Sequence, residues 1–307
     1  MTLHQNVLGV DVARDWIDIF DPAAGEARRI AMTQRDLKAF LARHGGSLVV
    51  FEASGGYERP LVEALEAADI AYACVNPRQA REFARACGRL AKTGRVDAEV
   101  LARMGAALDL RPAAPADPAR RRLADLVSRR EDILAAITAE KQRLPHARER
   151  FVKASIQRLL AVLIRQKLAI EAEIKAHMRQ HAALCSDERR LRTAPGIGPA
   201  VASTVMAFMP ELGRLDRRAI AALAGLAPHA NDSGHRAGRR STWGGRPGVR
   251  RALYLAAFIA SRCDPMFKAM RQRLEAAGKP FKVAIIACAR KLLTILNAML
   301  RAQRDYA

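Results

Sequence analysis

The stretch Val7-Leu8-Gly9-Val10-Asp11-Val12-Ala13 decides the fold. An apolar run interrupted by one acid reads as a buried strand. Trp16-Ile17-Asp18-Ile19-Phe20 follows after a short gap and reads as its hairpin partner, with a third short strand over 27–31. Working outward, Leu48-Val49-Val50-Phe51-Glu52 is a second apolar run closed by an acid, which suits a central strand, and 71–75 suits another. Helical patterns cover 36–44, 58–68, 77–87 and 95–107. Strands alternating with helices imply an α/β layer fold with a mixed sheet.

Arg111-Pro-Ala-Ala-Pro-Ala-Asp-Pro118 breaks both patterns with three prolines and reads as a linker. About seventy helical residues follow. Leu123, Leu126, Ile133 and Ile137 trace one apolar stripe, Pro145 interrupts it, and Ile156, Leu160, Leu163, Ile170 and Ile174 trace another. Two long helices in a hairpin result, and their near-heptad spacing suits either an intrachain pair or a dimer interface. From Leu191 a small helical domain is expected, with a turn at Pro195-Gly196-Ile197-Gly198-Pro199, a Gly/Arg-rich loop over 232–248 and two helices to the end. The expected divisions are therefore 1–112, 113–190 and 191–307.

Half of the 307 residues are hydrophobic, enough for a core in each part, and the chain's formal net charge is +21. Residues 1–112 carry 15 Lys/Arg and 15 Asp/Glu, so the whole excess lies after them. A basic body of this size suits a polyanion, whose phosphates release counterions when neutralised. The five cysteines form no CxxC pair and are odd in number, which indicates neither a zinc knuckle nor a disulfide framework and suits a reducing bacterial cytoplasm. Met1-Thr-Leu-His-Gln5 begins no signal peptide, and Arg290 and Lys291 interrupt the longest apolar stretch near the end, so no membrane partner is expected.

Three acids of the first part stand out. Asp11 lies mid-strand, Glu52 closes a strand, and Asp97 opens a helix after Lys92-Thr93-Gly94-Arg95. A buried carboxylate must be paired, hydrogen-bonded or metal-bound. Carboxylates from separate elements suit a hard cation such as Mg²⁺ (or Mn²⁺), which prefers oxygen ligands and assists phosphodiester displacement.

These segments resemble the DEDD transposases of bacterial insertion sequences, the IS110 family, which includes the Piv and MooV invertases. The matching elements are Gly9-Val10-Asp11-Val12, Phe51-Glu52-Ala53-Ser54-Gly55-Gly56-Tyr57, Asn76-Pro77 and Lys92-Thr93-Gly94-Arg95-Val96-Asp97-Ala98. The resemblance implies a RuvC-like, RNase H-type first domain in which four acids bind the metal, the last two being three residues apart on one helix. Asp11, Glu52 and Asp97 match the first, second and fourth. Gly94 stands where the family pattern has Asp. Glu99 is nearby in sequence, but five residues from 94 is the wrong helical phase for a replacement.

The segment Ala227 to Arg240, leading into Gly244-Gly245-Arg246-Pro247-Gly248-Val249-Arg250-Arg251, resembles the carboxy-terminal domain of the same family, where a serine followed by glycine is the nucleophile. Ser233 matches it; Ser241 lacks the Ser-Gly context. Such a serine would form a phosphoserine link that stores bond energy for rejoining. Arg236, Arg239, Arg240, Arg246, Arg250 and Arg251, with no acid among them, suit phosphoryl charge and backbone contact. The Gly196 and Gly198 turn resembles a helix-hairpin-helix and suits a DNA phosphate, or is a plain interhelical turn. The resemblance further implies DNA ends and target as partners, and a structured guide RNA. Two other readings stay open. One is a metal-dependent junction nuclease using water. The other is a non-catalytic nucleic-acid-binding copy, in which Gly94→Asp would restore strand exchange.

Overall fold

A computed structural model describes residues 6–89, 93–108, 110, 112–113, 117–229, 238 and 240–306. The chain divides into two compact units, Met1–Pro115 and Ala116–Ala307.

The first unit is built on a mixed sheet. Strands β1 (Val7–Val12), β2 (Trp16–Asp21), β3 (Glu26–Ala31), β4 (Leu48–Glu52) and β5 (Tyr72–Val75) lie in the order β3-β2-β1-β4-β5. β1 to β3 form an antiparallel meander, while β1, β4 and β5 run parallel. The parallel pairs need crossovers, and helices α1 (Gln34–Leu41) and α2 (Arg59–Ala67) supply them. Alternation sorts the side chains. Leu8, Val10, Val12, Ile17, Ile19, Val49 and Phe51 share a core with Leu37, Phe40, Leu61 and Leu65 of α1 and α2. Leu48, Val50, Ala73 and Val75 face the other way, toward α3 (Pro77–Ala86) and α4 (Gly94–Ala107). By the same period of two, Asp11, Asp18 and Glu52 point to the α4 side.

Helix α4 sits unusually close to β1. A Cβ at Gly9 would lie 1.9 Å from the Ala98 carbonyl oxygen and 2.4 Å from the Ala102 nitrogen. A Cβ at Gly105 would meet Val7 and Val50 at 2.6 and 2.7 Å. Small residues at both contact points let the helix backbone rest on the strands. Thr93 caps the helix by accepting from the Val96 N–H.

The second unit is helical. The expected hairpin is α5 (Pro118–Arg143), a 3-10 turn at Leu144–His146 carrying Pro145, and α6 (Arg150–Gln180). Its far end is a small cluster of Ile133, Ile137 and Leu160. Its near end is not a separate body: Leu123, Val127, Ile174 and Met178 share one core with α7 (Ala182–Leu191), α8 (Pro199–Phe208), α9 (Arg217–Leu223) and the terminal helices. Those terminal helices are three, where two were expected: α10 (Pro247–Cys263), α11 (Pro265–Ala276) and α12 (Phe281–Ala302). Asp264 caps α11 by accepting from the Phe267 N–H, and Pro265 cannot continue α10, so the chain restarts there. By length and composition α12 is apolar enough to cross a membrane, but Ile285, Cys288, Leu292, Leu293 and Leu296 are fully buried in this core.

Candidate active site

Asp11 and Glu52 come to adjacent strands because β1 and β4 pair in parallel through Val10 and Phe51, one residue before each acid. Glu52 and Asp97 line a common cleft of about 280 Å³ with Arg78 and Arg81 of α3. Asp97 belongs to the first turn of α4, where the positive end of the helix dipole favours a carboxylate. Asp11 reaches the same helix start: its Oδ2 lies 3.0 Å from the point a Cβ would take at Gly94. The three sequence-derived acids thus gather around the N-terminus of α4, which the close packing on Gly9 brings down to the sheet.

A fourth acid is there that sequence reasoning passed over. Asp18 pairs directly with Asp11 across β1 and β2 and is only 2% exposed. Its carboxylate accepts from Arg29 Nε at 2.9 Å and Nη2 at 2.8 Å, a bidentate pair made across β2 and β3. The Arg29 guanidinium in turn stacks over Trp16 at 4.8 Å. The signal was present as the alternation Trp-Ile-Asp-Ile-Phe, whose acid falls on the polar face opposite Asp11.

Beside the acids, the loop after β4 is tied by Glu58, which accepts from the Ser54 and Gly56 N–H groups and the Ser54 hydroxyl. Burial raises the Glu58 carboxyl, but these bonds outweigh it and hold it below its ordinary value. Desolvation, then the charges of Glu58 and Glu52, push the Cys74 thiol up to about 11.

The donor set is all carboxylate oxygen, the chemistry Mg²⁺ or Mn²⁺ prefers. Among the described residues no three Asp, Glu, His or Cys side chains converge closely enough to cage an ion. Mg²⁺ is commonly held by one or two carboxylates, with water and substrate phosphate completing its shell, so acids gathered in pairs fit it.

In the second unit, Ser233, Arg236 and Arg239 lie outside the described residues. The flanking strands β6 (Pro228–His229) and β7 (Ser241–Thr242) pair antiparallel. Two of the candidate phosphate-binding arginines are occupied within the protein. Arg246 makes a bidentate pair with Glu211, both contacts at 2.7 Å, and also donates to the Phe208 carbonyl. Arg250 donates to the carbonyls of Gly225 and Gly244. Arg251 is different: its side chain is 73% exposed, and among the described residues a 3.9 Å contact with Glu131 engages it. Arg240 is exposed as well.

The two turn glycines also part company. Gly196 has φ +78°, and a Cβ there would lie 2.1 Å from the Ala256 carbonyl of α10. Gly198 meets nothing within 4 Å and forms the N-cap of α8 without a side-chain cap. Gly196 therefore answers to helix packing, whereas Gly198 leaves the helix start accessible.

A strand-borne acid set beneath a helix start, followed by a basic helical body, is an arrangement suited to a polyanionic partner such as DNA. The DEDD model of IS110 type, described as a transposase, matches residues 8–149. The model described as transposase of the IS116/IS110/IS902 family matches residues 188–272. The chain belongs to the IS110 family of transposases. It is 26% identical to the pilin gene-inverting protein of Moraxella bovis, over 99% of this chain and 98% of that one. The protein of the same description from Moraxella lacunata is 28% identical, over 84% and 81%. A 43.6 kDa protein of insertion element IS110 from Streptomyces coelicolor is 29% identical over 62% of this chain, which spans about half (49%) of that relative's length.

Proposed function

We propose that this chain cuts and rejoins DNA through a phosphoserine intermediate on Ser233, assisted by a divalent cation at the acids of the first unit. The observation that carries the reading is the gathering of Asp11, Glu52 and Asp97 around the start of α4. The sheet order β3-β2-β1-β4-β5, an antiparallel meander continued by parallel strands, supports an RNase H-like, RuvC-like domain. Relatives described as gene-inverting support strand exchange over simple cleavage.

In this reading the Ser233 Oγ attacks a DNA phosphorus. One Ser–O–P bond forms, the P–O bond to the departing sugar breaks, the serine proton is given up and the sugar oxygen is protonated. Reversal by another strand's hydroxyl restores the serine, so no ATP is consumed. Asp11, Glu52 and Asp97 hold Mg²⁺ or Mn²⁺, which supplies charge stabilisation for the phosphoryl oxygens. Arg251 and Arg240 track phosphates, while Arg246 and Arg250 hold the base of the loop. A structured guide RNA selects the DNA, held by the basic helical unit through its backbone. The chain works as a homodimer or homotetramer; Phe151, Leu159, Val162, Ile164 and Leu168 of α6 are exposed and apolar, suited to a second copy.

The test is adduct trapping. Ser233→Ala is expected to bind DNA as the parent does and to yield no denaturation-resistant protein–DNA species. Adducts persisting in that variant would instead favour another nucleophile.

A further inference from the structure

Asp18 is a buried acid, and its surroundings show what it is spent on. A Cβ at Gly94 would lie 2.2 Å from its Oδ2 and 3.1 Å from its Cγ, so the bare first residue of α4 makes room for it. Both of its oxygens accept the Arg29 fork, the pairing that a buried carboxylate requires. The consequence falls on Arg29. Its side chain is 53% exposed, and yet its guanidinium is fixed from below.

The fixed guanidinium has a second partner. Arg29 Cζ lies over the Trp16 ring, 4.8 Å from its centroid. Trp16 is itself 39% exposed, whereas tryptophan is ordinarily well buried. The strand register puts this stack beside the acids. Asp18 pairs with Asp11 on one side and with Arg29 on the other, and Trp16 lies two residues before it. All four therefore share the sheet face toward α4. Trp16 sits about 7 Å along β2 from the Asp11–Asp18 pair. Its backbone is tied as well: Ala13 donates its N–H to the Trp16 carbonyl, and Met32 donates to the Asp15 carbonyl. A planar cation on an indole, both exposed and both held, is a surface on which a nucleobase stacks, since every base has a π-face. The fork engages Nε and Nη2, and Nη1 stands outside it, available in its chemistry to a base edge or a phosphate.

We infer that Trp16 and Arg29 form a platform for an unpaired DNA base beside the acids, with Asp18 positioning Arg29. The inference rests on the reading that this face meets a DNA strand. The base next to the phosphate presented to the acids is then gripped by stacking, in a manner that tolerates any sequence.

The test uses the full-length chain, single-stranded oligothymidylate, and a strand of equal length and charge with abasic sites in place of the thymines. The chain has two tryptophans, so Trp243→Phe leaves Trp16 as the sole indole, with circular dichroism checking the fold. Oligothymidylate is expected to quench the Trp16 emission, while the abasic strand and a duplex leave it bright. Trp16→Ala should lower the ratio of affinities for the two single strands by about 5-fold or more, the lower end of what one stacked base contributes. Trp16→Phe should keep most of that ratio. Asp18→Asn should lower it with affinity for the abasic strand unchanged, whereas a merely structural loss would weaken both strands together. Equal quenching by both strands, or an unchanged ratio in Trp16→Ala, overturns the inference; Ser233 adducts forming in that case leave the proposed function standing without it. A ratio unchanged in Asp18→Asn overturns the positioning role. A chain that binds neither strand and forms no adduct loses the function and the platform together.

Discussion

At the scale of single residues, the glycines separate sharply by what surrounds them. Gly9 and Gly198 look alike in sequence, each flanked by apolar residues or proline. Only Gly9 has helix backbone lying where its Cβ would go. Gly9→Ala must push α4 off the sheet, and overpacking of this kind costs about 1–3 kcal/mol. Gly198→Ala meets open space at an ordinary φ of −88° and loses only the N-cap preference for glycine, so it should cost less, about 1 kcal/mol or below. Urea denaturation midpoints of the two variants check the contrast. Asp11, Glu52 and Asp97 were legible because each was an acid in an apolar or helix-opening setting. Asp18 was not, because an Asp in a short hairpin strand is ordinarily solvent-facing, and only the covering helix α4 makes its face an interior.

At the scale of elements, ion pairs decide how helices meet. Glu211, in the turn after α8, and Arg246, the N-cap of α10, lock those two elements together. Burial raises the Glu211 carboxyl, but the Arg246 hydrogen bonds and charge overcome it and hold it below its ordinary 4.5. A depressed folded-state pKa means stabilisation that is complete above the unfolded value and lost as pH falls through the folded one. Glu211→Gln is therefore expected to melt lower than the parent at pH 7 and to show a flatter fall in thermal midpoint below pH 4.5. Thermal melts from pH 7 to pH 3 measure it. Arg130 works similarly in α5: only 3% exposed, it donates to Ser203 and Thr204 of α8 and ties the hairpin to the helix after the Pro195–Pro199 turn.

At the scale of the whole molecule, the segregated charge makes salt dependence the sensitive readout. Neutralising each phosphate contributes about 0.9 to the slope of log affinity against log salt. Arg251→Ala removes an exposed cation and should reduce that slope by about 1 with little loss of stability. Arg246→Ala should leave the slope nearly unchanged and lower the thermal midpoint, because its guanidinium is spent on Glu211. Binding isotherms on one duplex at several salt concentrations, paired with melts, distinguish the two arginines. A loss of slope in Arg246→Ala equal to that in Arg251→Ala would assign both to phosphate.

The strand and helix sequence of the first unit was determined by local pattern, since period-two and helical apolar spacings are properties of the chain itself. So were the long hairpin, broken where Pro145 ends its first helix, and the division between a neutral part and a basic one. Local pattern did not determine how the helical hairpin ends, because Leu123 and Ile174 find their partners in helices far along the chain. Nor did it show which arginines are consumed inside the protein, since Glu211 and Arg246 meet only through folding. The same holds for the acids. Sequence alone showed Gly94 as a gap and passed over Asp18, whereas the tertiary structure places the buried Asp18 carboxylate beside Gly94, because the close seat of α4 on Gly9 brings a helix start and two strands together.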